Sequence, residues 1–495
     1  MPDPYRIAAS CLGCAQRFSR RRKLALPLAL ALMMSVLASP AAASAPNDGP
    51  MDATGNSFVV RNVRVFDGTW VTERGSVLVL NGRIAQIGDI AVPRGVTVYD
   101  GRGKTLLPGL IDSHVHVYEQ IRRDALRFGV TTELDMFNEV AELPAAKRQR
   151  RALDRVDEAD LWSAGIGVTV PGGHPVIEGW DFPRLTEETD PDRFVADRVR
   201  EGSDYIKFIF DDGGPRNPLR TLEPEQVRAV VAAAHRHGRM AVGHVEEFEF
   251  AKAAVDAGAD GLVHMFYDTE LDERFLQEVQ RRGTFLVATL SVIDCGAGAA
   301  DLQANERVER YLSKAQRDSL KWDRKRCARS WLETAKANVA RLHAAGVPIL
   351  AGTDASMPGT AHGPSMFAEL AHLTSAGMTP QAALVSATSM PARHFGITDR
   401  GRIAPGLRAD LILVNGDPTK NISAIRDTAH IWKNGYVINR EVSGMDGIDN
   451  KQISRSSKTG EEDSCRPPPR RPVSACGPPP FPSTRRSGVL ASRRR

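Results

Sequence analysis

His114 and His116 stand two residues apart behind the run Pro108-Gly109-Leu110-Ile111-Asp112. In an extended strand residues i and i+2 point to the same face, so both imidazoles can reach a single metal ion. A surface strand that merely carries two histidines is the plain alternative. The chain supplies its own control in His235 and His237, which have the same spacing but close a helical stretch before Gly238. There i and i+2 diverge by about 200°, so the pair cannot share an ion and reads as a solvated helix end. Four further ionisable residues lie in or at the ends of later apolar runs. Lys207 sits inside Tyr205-Ile206-Lys207-Phe208-Ile209, His244 and His264 each close a run, and Asp354 ends Leu350-Ala351-Gly352-Thr353-Asp354. A lysine in an apolar strand needs a compensating group, because an unpaired buried ammonium is costly. Taken singly, each has an ordinary explanation: a capped histidine, a lysine reaching water, an aspartate starting the next helix.

The elements that carry these residues repeat. Apolar runs at 109–112, 130–137, 165–170, 205–210, 240–244, 261–266, 284–292 and 347–354 are each followed by a loop and mostly by a helical stretch. Val227, Val230, Val231 and Ala234 recur at i, i+3, i+4 and i+7, the pattern of an amphipathic helix. Continuous apolar strands alternating with such helices indicate a parallel sheet covered on its faces. Eight of them in roughly 250 residues fit an α/β fold of the (β/α)8 TIM-barrel kind over 106–400, with a doubly wound open sheet as the structural alternative. Within a barrel, the six candidate ligands fall at the C-terminal ends of strands one, four, five, six and eight, where barrels place their active sites. Flanking segments have another texture. Short alternating runs, with Asp67-Gly68 and Asn81-Gly82 as hairpin signals, fill 46–105, and a similar character returns over 401–440. These two ends are expected to pair into one small β-sandwich.

The chain has 495 residues, 42% hydrophobic and 25% charged, the balance of a globular protein. Aromatics are only 6%, which argues against a stacking surface for single strands of nucleic acid. The net charge of +5 is misleading, since residues 1–45 and 441–495 each carry +5 and leave the body at −5. A slightly acidic body argues against duplex binding. The basic run Arg20-Arg21-Arg22-Lys23, the uncharged stretch to Ala38 and Ala41-Ala42-Ala43 read as a signal peptide over 1–45, with a twin-arginine route permitted. The protein is therefore expected to be periplasmic or secreted, with no membrane attachment after removal of the leader. Residues 441–495, with eight prolines and little apolar periodicity, read as a disordered tail. Of six cysteines, Cys295 and Cys327 fall in the body and read as free thiols, with a disulfide as the alternative.

The motifs PGLIDSHVH (108–116), YIKF (205–208), GADGLVHMF (258–266), LAGTDA (350–355) and GRIAPGLRADLILVNGDP (401–418) together resemble the metal-dependent amidohydrolase superfamily, in its imidazolonepropionase-like and Xaa-Pro dipeptidase-like branches. The resemblance spans about residues 58–440. It implies two divalent metal ions, with zinc the expected metal: His114 and His116 bind the first, His244 and His264 the second. Lys207, carboxylated on its amine, bridges them, and Asp354 binds the first ion and shuttles the proton. A carbamate turns a cation into an anionic oxygen ligand, which answers the buried-lysine problem. The chain departs from dipeptidase-like relatives in His244-Val245-Glu246 and Val263-His264-Met265, where those relatives often have Tyr or Thr and Glu-His-Gly.

The function implied is hydrolysis of a peptide-like or N-acyl amino-acid amide bond by a metal-activated hydroxide. A cyclic-amide or ester hydrolase with the same ligands is one alternative, and a non-catalytic metal-binding protein on this fold is another. His174, in Gly172-Gly173-His174-Pro175, could polarise a substrate carbonyl or bind a carboxylate, and His362, in Thr360-Ala361-His362-Gly363, could line the pocket. Plain loop structure stays open for both. The expected partner is a small-molecule substrate, with self-association into a homo-oligomer compatible.

Overall fold

Alternating apolar residues shape the chain before residue 109. They form β1 Phe58–Phe66, β2 Val71–Leu80, β3 Arg83–Ile87, β4 Thr97–Asp100 and β5 Lys104–Pro108. The computed structural model describes residues 55–118, 121–175, 180–214, 218–321 and 328–442. Residues 1–45, expected to be a leader, Cys327, and all but the first two residues of the expected tail 441–495 lie outside the described residues. Cys295 is disulfide-bonded, which corrects the free-thiol expectation for that residue.

Eight parallel strands follow: β6 Leu110–Val115, β7 Val130–Asp135, β8 Asp160–Ser163, β9 Ile206–Ile209, β10 Ala241–His244, β11 Gly261–Val263, β12 Phe285–Val287 and β13 Ile349–Leu350. They form a three-stranded sheet, β6-β7-β8, and a five-stranded sheet, β13-β12-β11-β10-β9. Isolated parallel bridges at Val168↔Phe208 and Val115↔Ala355 link residues of one sheet or its flanks to the other. The third strand is displaced from its expected place. It occupies 160–163, and the run 165–170 contributes only the bridge at Val168, because Gly165 turns the backbone to φ +62 just after β8.

The chain returns in β14 Leu411–Asn415, β15 Thr428–Lys433 and β16 Tyr436–Val437. β14 pairs antiparallel with β5, from Leu411↔Pro108 to Asn415↔Lys104, which joins the segments on either side of the parallel strands. The hydrogen bonds make one eight-stranded ladder, β16-β15-β14-β5-β1-β2-β3, in place of two separate stacked sheets. β4 joins off this path, beside β1. Val60, Val65, Val77, Val79, Leu411 and Trp432 build its core, and Phe58 stacks on Trp432 at 4.7 Å between centroids.

Under the C-terminal ends of the parallel strands lies a buried layer of Ile111, Leu134, Tyr205, Val242, Val263, Val287 and Leu350. Because side chains alternate along a strand, Lys207 and His244 sit one step above Tyr205 and Val242 on the same face. The amphipathic helix is Pro224–Arg236, with Val227, Val230, Val231 and Ala234 buried. At its end His235 faces Asp260 at 2.8 Å and His237 faces Asp192 at 3.4 Å, two separate carboxylates. Among the described residues no helix is long and apolar enough to cross a membrane.

A buried charge network ties the terminal sheet to β8. The Lys433 ammonium, 0% exposed, donates to Asp160 and Asp410, and Arg400 donates to Asp160 and to Asp399. Removing one partner from such a group leaves the others uncompensated. Lys433→Met should therefore cost about 3–5 kcal/mol in denaturant unfolding of the variant against wild type. A loss below about 1 kcal/mol would show that Arg400 alone balances Asp160 and Asp410.

Candidate functional site

Strand β6 delivers His114, and His116 follows directly after it. Their Nε2 atoms are 3.3 Å apart, and each lies 3.1 Å from Asp354 Oδ1. Asp354 reaches them because the segment after β13 runs against β6. The backbone N–H groups of Thr353 and Asp354 donate to the His114 carbonyl at 3.3 and 2.8 Å. Gly352 makes that approach possible: a Cβ there would stand 2.4 Å from Val287 Cγ1 and 2.9 Å from His114 N. Asp354 itself takes φ +55, a strained conformation for a residue with a side chain.

His244 and His264 form a second group, with Nδ1 of the first 3.1 Å from Nε2 of the second. Val263 already faces the buried layer, so strict alternation would turn His264 outward. Its φ of +70 breaks the alternation and brings the ring inward, 4.6 Å from the His114 ring between centroids. Thr289, also at positive φ, meets His264 Nδ1 through its hydroxyl at 2.8 Å. One ligand atom each from His114, His264 and Asp354 lies within 4.8 Å of the other two. Lys207 is 2% exposed. Burial lowers it to about 7, against the weaker opposing pull of Asp354 and Asp135.

These spacings suit a cation. Tetrahedral coordination at about 2.0–2.1 Å places neighbouring ligand atoms about 3.3 Å apart, close to the observed 3.1 and 3.3 Å. Asp354 Oδ1 is buried without a hydrogen-bond partner. Burial pushes His114 and His244 well below the usual imidazole range and His264 to about 3, so all three are neutral and offer lone pairs. Burial opposes ionisation of Asp354, but His114 and His264 outweigh it and hold the carboxyl well below its usual range. Neutral imidazoles with a carboxylate form a donor set for a divalent metal ion.

Supporting groups surround this cluster, and motif reading missed several of them. Asp112 Oδ1 accepts the N–H groups of His114 and Thr353 at 3.2 and 3.0 Å, and its Oδ2 accepts the Thr353 hydroxyl at 2.7 Å. It thus fixes the two ligand-bearing segments to each other. A carboxylate inside the apolar run before His114 was the available signal. Glu133, in the apolar strand β7, pairs with His362 Nδ1 at 2.6 Å, and His362 Nε2 lies 3.1 Å from the His116 carbonyl. His362 is 0% exposed with both nitrogens engaged, so it supports His116 instead of lining a pocket as expected. Glu369 Oε2 accepts the N–H of Ser291 at 2.8 Å, two residues beyond Thr289. His174 is half-buried at the opening, stacked on His244 at 4.9 Å and 30°, and burial lowers it to about 4. Glu246 Oε2 accepts the Tyr267 hydroxyl at 2.6 Å, and its Oε1 stands 3.8 Å from His244 Nε2.

Residues 105–444 match the amidohydrolase family, and the chain belongs to it. An uncharacterized protein of Mycobacterium tuberculosis is 29% identical over 337 residues, covering 65% of this chain and 81% of that protein. Ochratoxinase of Aspergillus niger is 27% identical over 252 residues, covering 49% of this chain and 48% of the enzyme. In fold, the chain resembles a Xaa-Pro dipeptidase solved with methionine in its active site. That likeness has a TM-score of 0.62 at 23% identity and covers 77% of this chain and 100% of the dipeptidase.

If Asp112 positions the ligands, Asp112→Ala should weaken binding of a divalent metal ion by about 10–100-fold, the usual cost of removing a group that orients metal ligands. Calorimetric titration of metal-free protein measures it. Affinity equal to wild type would make Asp112 a packing residue only.

Proposed function

We propose that this protein is an exported, metal-dependent hydrolase of amide bonds acting on peptide-like or N-acyl amino-acid substrates. The observation that carries the reading is the approach of His114 Nε2, His116 Nε2 and Asp354 Oδ1 to 3.1–3.3 Å of one another, with His114 and Asp354 buried. The two parallel sheets, with the bridges at Val168↔Phe208 and Val115↔Ala355, are read as one closed (β/α)8 barrel whose C-terminal rim holds the chemistry. His114, His116 and Asp354 would hold one divalent ion and His244 and His264 a second, zinc being the first candidate, with Lys207 between them as a carbamate. Uptake of carbon dioxide by the Lys207 amine would release one proton and supply anionic oxygen donors. Metal ions bound there supply Lewis acidity toward the carbonyl oxygen and acidify water.

The chain's own groups account for the rest of the reaction, in which an amide and water become a carboxylic acid and an amine. The Asp354 carboxylate accepts the proton given up by the attacking water and returns it to the departing nitrogen. His174, kept neutral by burial and stacked on His244 at the opening, can donate an N–H to the carbonyl oxygen as charge gathers there. The leader over 1–45 fits a substrate met outside the cytoplasm. Membership of the amidohydrolase family and the fold shared with a Xaa-Pro dipeptidase support an amide over other bonds.

Metal content and rate measured on the same preparations test this. Asp354→Asn should keep a metal-binding oxygen and much of the metal while kcat falls by about 10²–10⁴-fold. Lys207→Ala should lose metal, and Lys207→Arg should not replace it, since a guanidinium stays cationic. Wild-type turnover in Asp354→Asn with metal intact would contradict the mechanism.

A further inference from the structure

A cavity of about 470 Å³ is lined by residues of or just beyond β6, β7 and β8. Val117, directly after His116, Phe137, just beyond β7, and Leu161, within β8, line its floor, and Tyr118 and Trp180 stand around it. Its lining begins at Val117, the residue after His116. His116 has 33% of its side chain exposed, whereas His114 has none. Val117 is pinned there by its N–H, which donates to Asp135 Oδ1 at 2.9 Å.

The chemistry of this lining is specific. Trp180 meets Phe137 edge-on at 5.4 Å and 88°, and Phe137 meets Phe182 at 5.1 Å and 76°, so an aromatic wall is already assembled. Tyr118 is 49% exposed, a large ring turned to solvent at the mouth. The cation in the lining, Arg122, is taken: its guanidinium donates to Glu158 at 2.7 Å, to the Ala159 carbonyl at 3.1 Å and to Gln149 at 3.3 Å. Glu139 and Glu142 are exposed at the rim and add negative charge. A substrate carboxylate would find no free cation among the described lining residues and two carboxylates nearby. An uncharged ring would find aromatic edges and faces at the spacing that rings prefer. The volume lies within the range of small-molecule pockets.

We propose that this cavity is the subsite for an uncharged aromatic, or comparably bulky apolar, substituent flanking the scissile amide. The inference rests on the amide-hydrolase reading above and names the substrate class within it.

Metal-loaded protein should be assayed with matched amides carrying methyl or benzyl on the acyl side, and then on the amine side. On one of the two sides, benzyl should raise kcat/KM by about 10–100-fold over methyl. Trp180→Ala, which removes a wall, and Ala146→Leu, which fills the cavity, should both bring that ratio toward one, with unfolding curves confirming folded protein. Calorimetry without turnover gives an independent readout: phenylacetamide should bind more tightly than acetamide, and 4-carboxyphenylacetamide more weakly than phenylacetamide. Hydrolysis with no benzyl preference on either side, or a preference that survives both variants, overturns the subsite and leaves the hydrolase reading standing. Phenylacetamide binding that both variants abolish, in a protein that hydrolyses no amide, supports the subsite and refutes the hydrolase reading.

Discussion

Two imidazole nitrogens and a carboxylate oxygen, all within 3.3 Å of one another, are the constraint around which this protein is built. Two nitrogen lone pairs cannot satisfy one another, and a buried carboxylate oxygen without a donor is costly. A cation at their centre would turn each of these liabilities into a bond. The scaffold holds the donors in place for it. Asp112 does so by accepting N–H groups from both ligand-bearing segments, and Gly352 by letting those segments touch. Strained backbones at His264, Thr289 and Asp354 are the conformational cost, the kind that concentrates at functional sites.

The rest of the fold serves that arrangement. A layer of apolar side chains, drawn from six parallel strands and from Tyr205 at the foot of a seventh, closes the space beneath the cluster, so the polar groups above it face one opening. The terminal sheet joins the segments on either side of the parallel strands through β5 and β14, and Lys433, Arg400 and Asp160 clamp it to β8. His362 and Glu133 extend the same logic outward, reaching the His116 carbonyl. The network is wholly buried, so each member depends on its partners for compensation.

Much of this was legible in the sequence because it follows from periodicity. Strand alternation placed His114 with His116, and helical rotation separated His235 from His237. The helix over Pro224–Arg236 buries the valines that its spacing selected. What escaped depended on three-dimensional neighbours. The 160–163 strand is short and carries a charged residue, Asp160, whose burial makes sense only beside Lys433 and Arg400. Reading a rim-loop histidine as a pocket residue fails for the same reason. The loop motif does not show the partner, and Glu133, far away in sequence, takes His362 out of the pocket. Positive φ at His264 was invisible to a pattern that assumes regular alternation.

The most direct test of the account is anomalous diffraction from crystals of the protein loaded with zinc. The account requires one peak bonded to His114 Nε2, His116 Nε2 and Asp354 Oδ1 and a second bonded to His244 Nδ1 and His264 Nε2, with density extending from Lys207 Nζ between them. Peaks at other residues, such as the His235 and Asp260 pair, with these five side chains left bare, would contradict it.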